Sequence, residues 1–167
     1  MIKRINVLIV TSLICVLCLS ACGNSNLPSI IQYNNKTISY NTTKSDVEKS
    51  IGNGEQSTSI IPNTINYDKS IQISYNDTNK VRCIEIDSSD ATTYNNIKVG
   101  DSISDVLKKY KYEQKNGNNY MVAFSNNNEI DITDKNSTVD FLINYYVKDD
   151  KISKIQLYDS TFAKIMK

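Results

Sequence analysis

Residues Ile38 to Lys49 and Ile97 to Lys108 are two versions of one stretch. Laid over each other without a gap, they match Ile38 with Ile97, Ser45 with Ser104, Asp46 with Asp105, Val47 with Val106 and Lys49 with Lys108. A chain that restates itself in this way builds one small unit twice, and a unit of this size is marginal alone, so the copies are expected to share a core.

Each copy begins with an apolar lead-in and a helix start. Thr43 stands three residues ahead of Asp46 and Ser102 three ahead of Asp105, which is the spacing of a capping box with Asp in the place of Glu or Gln. Val47 and Ile51 then share a helical face, and Gly52 is placed to end the helix. In the second copy Ile103, Val106, Leu107 and Tyr110 form one stripe. Strands follow. Ile60-Ile61-Pro62 with Ile65-Asn66-Tyr67 reads as an irregular edge strand, because proline cannot donate to a central ladder. Ile71, Ile73 and Tyr75 alternate with polar residues, Asn76 to Lys80 supplies turn chemistry, and Val81 to Ile86 returns. In the second copy Gln114 to Asn119 is a turn-rich break and Tyr120 to Phe124 a strand. Asn126 to Asn128 is a loop, Phe141 to Val147 alternates, Lys148 to Lys151 turns, and Ile152 to Tyr158 comes back. The returning strands, Val81 to Ile86 and Ile152 to Leu157, both change apolar parity in the middle, which a shared bulge explains. Alternation pairs Ile71, Ile73 and Tyr75 with Phe141, Ile143 and Tyr145, implying one added residue in the second turn.

The N-terminus is of a different kind. Met1 to Arg4 is a short basic segment, and Ile5 to Leu19 is apolar apart from Asn6, Thr11 and Ser12, the form of a secretion signal. The run of about 15 residues falls short of the ~20 that a spanning helix needs. Leu19-Ser20-Ala21-Cys22 follows. These residues resemble the lipobox of bacterial lipoproteins, and the resemblance implies that the mature chain begins at Cys22, acylated on its thiol. The competing reading is an ordinary small-residue cleavage site beside a thiol. Two acyl chains, at about 0.8 kcal/mol per buried methylene, hold a protein on a bilayer without a spanning segment. Residues 1–21 are therefore expected to be signal, and residues 22–35, polar and rich in Asn and Ser, a tether.

Composition removes several classes of function. Without Lys3 and Arg4 the balance of 19 basic and 18 acidic side chains turns slightly acidic, which does not suit nucleic acid or anionic lipid. Arginine occurs only at Arg4 and Arg82, which weakens two-pronged phosphate recognition. There is no histidine, so Ser-His and Cys-His nucleophile pairs and most transition-metal sites are out. No catalytic residues, metal or cofactor are expected. Asp149 with Asp150, and Asp131 with Asp134, lack the glycine and spaced acids of a calcium loop and read as solvated turns. Cys15 and Cys18 belong to the signal, so Cys83 has no partner within the mature chain. Its strand context favours an inert, half-buried thiol over a reactive one. Asn35, Asn41, Asn76 and Asn136 fit a glycosylation pattern but read as turns. The 11 tyrosines, without a tryptophan, are either core with a wet hydroxyl or the lining of a binding face.

Val99-Gly100-Asp101-Ser102 with Ser104-Asp105-Val106-Leu107, and later Tyr145 to Ile152, resembles the helix-then-meander unit of two families. These are the outer-membrane-assembly lipoproteins of the BamE/SmpA type and the beta-lactamase inhibitory protein, which carries two such units. The likeness spans about residues 36–160. The turn after the helix differs from the families' glycine and proline, being Lys111-Tyr112-Glu113 in one copy and Gly52-Asn53-Gly54 in the other. The resemblance implies a protein-binding surface on the open face of a curved antiparallel sheet. It brings no catalytic residues, and no contact residues can be matched.

The sequence therefore predicts an α+β fold of two tandem units, residues 36–92 and 93–167, each a helix and a three-stranded antiparallel meander, with the helices packed on one face of a curved sheet. Strand parity puts Glu85, Leu142, Tyr146, Gln156 and Tyr158 off the core face, as a candidate partner-binding surface. The expected function is a cell-surface lipoprotein, held on the outer side of the cell membrane through Cys22, that binds a protein partner or serves envelope assembly without catalysis. The alternatives are a cell-envelope enzyme using acids only, and an accessory ligand-binding lipoprotein of a membrane complex. Acids converging in a deep pocket would favour the enzyme; a shallow face with exposed tyrosines would favour binding.

Overall fold

The computed structural model describes residues 30–162. The expected signal segment, Cys22 and the first part of the expected tether lie outside them. Twelve strands and two helices follow in the order β1 Ile30–Tyr33, β2 Lys36–Ser39, α1 Lys44–Ile51, β3 Glu55–Gln56, β4 Thr64–Tyr67, β5 Ile71–Tyr75, β6 Val81–Ile86, β7 Ala91–Thr93, α2 Ile103–Leu107, β8 Glu113–Asn116, β9 Asn119–Ser125, β10 Asn128–Ile130, β11 Phe141–Lys148 and β12 Lys151–Asp159. All pairings are antiparallel. One large sheet runs β10-β9-β11-β12-β6-β5-β4-β3, with β8 sharing an edge of β9, and a small sheet runs β2-β1-β7.

This overturns the α+β expectation. The fold is mainly antiparallel sheet, and its two helices, of eight and five residues, are too short to form a layer. They bury Val47 in α1 and Ile103 and Val106 in α2, a thin stripe that cannot carry the cost of a long helix against strand pairing on both sides. The small sheet adds Ile31, Tyr33, Ile38 and Ala91 to the same core as the large sheet. Its presence also corrects the domain reading. Residues 30–33, read as tether, are a strand with Ile31 and Tyr33 buried, and the boundary between residues 92 and 93 falls inside β7, which pairs with β1. An apolar pair in a polar stretch was the sign of it.

The repeat itself is built in hydrogen bonds. Asn41 N–H donates to Val81 O, and Val81 N–H to Thr42 O; Gly100 N–H donates to Ile152 O, and Ile152 N–H to Asp101 O. Lys44 N–H reaches Asn79 O, and Ile103 N–H reaches Asp150 O. In each copy the start of the helix is thus clamped to the turn of the hairpin that follows it. Lys49 pairs with Asp46 at 3.3 Å and Lys108 with Asp105 at 2.8 Å. Asn41 and Gly100 occupy matching positions with φ of 72° and 94°, a left-handed conformation that glycine takes freely and Asn tolerates. Every other non-glycine residue with positive φ among those described is also Asn or Asp, so the abundance of Asn serves the tight turns.

The hairpins fix the alignment of the copies. The ladder slips between Ser74 and Tyr75 on β5, and between Tyr146 and Val147 on β11, so the bulge is shared. Tyr75 faces Val81 and Val147 faces Ile152, which makes Tyr75 the counterpart of Val147 and Ile73 that of Tyr145. The expected match to Tyr145 and Ile143 is off by two residues, and the second turn is one residue shorter rather than longer. A period-two pattern can slide by two without changing its face.

Candidate binding face

Alternation sends Ile71, Ile73, Ile84, Ile86, Ile143, Tyr145, Ile155 and Leu157 to the inner face, where all are buried in the common core. The residues between them form an outer face. One row crosses the whole sheet in direct register, as Glu55, Asn66, Gln72, Glu85, Gln156, Asn144, Met121 and Gln114. Glu85 and Gln156 sit at its middle, on either side of the junction of the two copies.

The row is tied together. Gln72 Nε2 donates to Asn66 Oδ1 at 2.7 Å and to Ser57 Oγ at 3.0 Å. Gln156 Nε2 donates to Glu85 Oε2 at 3.2 Å, Tyr146 Oη to Gln156 Oε1 at 3.1 Å, and Lys154 Nζ to Glu85 Oε1 at 3.2 Å. Lys154 also lies 5.0 Å from the Tyr146 ring centre. The Lys154–Glu85 pair is partly exposed, so its attraction contributes less than about 1 kcal/mol.

On one side of this row the face is apolar and closed. Cys83 faces Tyr158, Tyr158 faces Leu142, and Leu142 faces Ala123. Phe162, which follows β12, lies 5.9 Å from Tyr158 and has the Arg82 guanidinium 5.1 Å from its ring centre. Cys83, Ala123, Leu142 and Phe162 are all buried, yet none belongs to the main core cluster. Burial raises the Cys83 thiol far above its ordinary pKa, with the Glu85 and Asp159 charges adding to it, and burial likewise raises Tyr158.

On the other side the face is polar and open. A groove of about 590 Å³ runs over Asn66, Gln72 and Glu85, and is closed in by Glu55, Asp68 and Asp87 with Lys69. Asp68 accepts from the Tyr33 hydroxyl at 3.1 Å, which fixes the β4–β5 turn to the small sheet. No three acidic or thiol groups among the described residues converge as metal ligands, so the carboxylates line the groove without forming a cage.

No family model matches the chain, and no curated protein is similar to it. Among solved structures, an extracellular protein containing an SCP domain from Bacillus anthracis strain Ames shares the fold, with a TM-score of 0.50 and 12% identity over 75% of this chain. The chain spans 45% of that protein's length, and at this identity the likeness concerns the fold alone. No helix of the described residues is long and apolar enough to cross a membrane.

The five residues assigned to a binding surface do share the outer face of β6, β12 and β11, side by side. Their exposure differs from expectation. Leu142 and Gln156 are buried, while Glu85, Tyr146 and Tyr158 are half-buried. Tyr158 is held under Phe162 and Tyr146 by Gln156, so these tyrosines do not stand free. The groove residues Asn66, Gln72, Asp68 and Asp87 were not picked out from the sequence, because single amides and turn acids carry no pattern.

Proposed function

We propose that this chain is a lipid-anchored module on the outer side of the cell membrane that binds a partner and does not transform it. The lipobox-like residues at Cys22 motivate the anchor, and the structural neighbour is an extracellular protein, which agrees with that side of the membrane. The observation that carries the binding role is the groove: one corner of the outer face stays open over a row of fixed amide and carboxylate groups, while the opposite corner is covered by the chain's own side chains. A rigid strand platform that offers oriented polar groups suits recognition.

The test has two parts. Cys22→Ala in cells should shift the protein from the membrane fraction to the medium or leave it unprocessed; retention of a processed chain on the membrane rejects the anchor. A photo-crosslinking amino acid at Gln72 of the acylated protein should give a discrete adduct on living cells, and one at Thr133, in an exposed connection away from the groove, should not. Adducts from neither position, or from both alike, reject binding at this face.

A further inference from the structure

The junction between β6 and β12 relates the two copies by an approximate two-fold, so the outer face carries two versions of one corner. Register fixes the counterparts. Glu55 corresponds to Gln114, Glu85 to Gln156 and, two residues further along the chain in each copy, Asp87 just past β6 to Tyr158 on β12. Three carboxylates of the first corner are therefore neutral in the second. The second corner is also filled, since Tyr158 packs beneath Phe162 over buried Leu142 and Cys83. The chain cannot close the first corner in the same way. After β12 it turns over the outer face to Phe162, whereas after β6 it leaves for β7, where Ala91 is buried in the core.

The open corner is also one-sided in its hydrogen bonding. Both Nε2 protons of Gln72 are taken by Asn66 and Ser57, which leaves its carbonyl oxygen to the groove. Glu55 and Asp87 are exposed acceptors, Asp68 adds exposed charge although its oxygens already accept from the Tyr33 hydroxyl and Lys69 N–H, and Lys69 is the one basic residue in the lining. Such a site asks for a ligand that brings donors and positive charge. Asn66, whose Oδ1 is occupied by Gln72, keeps amide protons that suit a peptide carbonyl.

We propose that this groove takes the ammonium or guanidinium side chains of a basic peptide segment, with Asp68, Asp87 and Glu55 as the charge partners and Asn66 and Gln72 as backbone contacts. The inference rests on the binding role above and names its ligand class. Its volume is in the range of sites that enclose small ligands or a few side chains, and the spread of the carboxylates favours several separated charges over one compact cation.

The test uses the full acylated chain in detergent and fluorescein-labelled penta-lysine, read by fluorescence anisotropy in low salt. Saturable binding is expected, with none for labelled penta-glutamate. Asp68→Asn with Asp87→Asn should weaken penta-lysine roughly tenfold, and Glu55→Lys by at least as much. Asp149→Asn with Asp150→Asn, in the exposed β11–β12 turn, should leave it within about twofold. Melting temperatures verify that each variant is folded, and Glu55, on an exposed edge, provides the reading if the double variant is not. No saturable binding, or equal weakening by the groove pair and the turn pair, overturns the inference. Anisotropy reads the groove and not the acyl chains, so a failure here leaves the anchor standing, and if Cys22→Ala shows the chain to be unacylated the same titration is run on that protein without detergent.

Discussion

Glu85 and Gln156 are counterparts in the two copies and also face each other across the junction of β6 and β12, joined by a 3.2 Å hydrogen bond. An interface of this sort, in which a residue meets its own equivalent, follows from the two-fold relation of the copies. If both positions held glutamate, two carboxylates would oppose each other directly, and like charges so placed destabilise a sheet. A glutamate against a glutamine turns that clash into a donor–acceptor pair.

Gln156→Glu should therefore lower stability by about 1–2 kcal/mol at neutral pH, from repulsion and the lost donor. Adding Glu85→Gln to that variant should restore most of the loss, because the pair is then rebuilt with its members exchanged. Urea unfolding of the three proteins measures this. A double variant no more stable than the single one would mean that the two positions are not equivalent.

Val47 and Val106 occupy matching places in α1 and α2, and both are buried. Truncating either to Ala should cost about 2 kcal/mol, the sum of lost burial and an unfilled cavity. As the two lie in different copies, the combined variant should lose the sum to within about 0.5 kcal/mol. A clearly larger loss in one variant would show that the copies share the core unequally.

What the residues announced and what they concealed follow one physical line. Local grammar was largely legible: Thr43 accepts from Asp46 N–H as its spacing asks, although Ser102 makes no such cap and meets the Ser104 hydroxyl instead, Gly52 ends α1 with φ of 91°, and the parity change in the returning strands is a real bulge. Long-range partners were not. The strand Ile30–Tyr33 is held by its pairing with β2 and β7, and its local signs, the apolar pair and the Asn34-Asn35 turn into β2, are lost in a polar stretch already rich in Asn. Glu113 to Asn116, polar throughout and partly read as a turn-rich break, becomes a strand because β9 offers it an edge. The five-residue α2 shows the same thing from the other side, since a four-residue apolar stripe can be satisfied by one helical turn followed by Tyr110 packing on its own. For the site, parity correctly grouped Glu85, Leu142, Tyr146, Gln156 and Tyr158, but it says nothing of what later covers a face, and Phe162 is the covering residue.

Tyr110 and Tyr145 are buried with their hydroxyls 2.5 Å apart, and burial raises the pKa of both above the ordinary value of 10.0; Tyr67 and Tyr75 form a second such pair, also raised, at 2.7 Å. In the unfolded chain these phenols lose protons near pH 10. The folded protein keeps them, so above that point it holds more protons than the unfolded chain and its stability falls as pH rises. Unfolding free energies should be level in these groups' contribution up to about pH 9 and drop steadily beyond about pH 10. Tyr110→Phe with Tyr145→Phe should flatten the drop. An equally steep alkaline loss in that variant would show that other groups cause it.

Phe162 touches Tyr158, the cross-strand partner of Cys83, and carries Arg82, the chain neighbour of Cys83, over its ring. The thiol is buried and its pKa is raised by that burial. Since only the thiolate attacks disulfides, both access and ionisation oppose reaction in the native state. Cys83 should therefore be silent toward an aromatic disulfide reagent at pH 8 until the protein is unfolded. Phe162→Ala removes the roof while leaving the strands paired, so the reaction should become at least tenfold faster, a change set by local opening rather than by global unfolding. Phe162→Leu should keep most of the protection, because it restores apolar cover without the ring. If the alanine variant is as unreactive as the parent, then the sheet itself shields Cys83, and the closed half of the outer face owes nothing to the turn that follows β12.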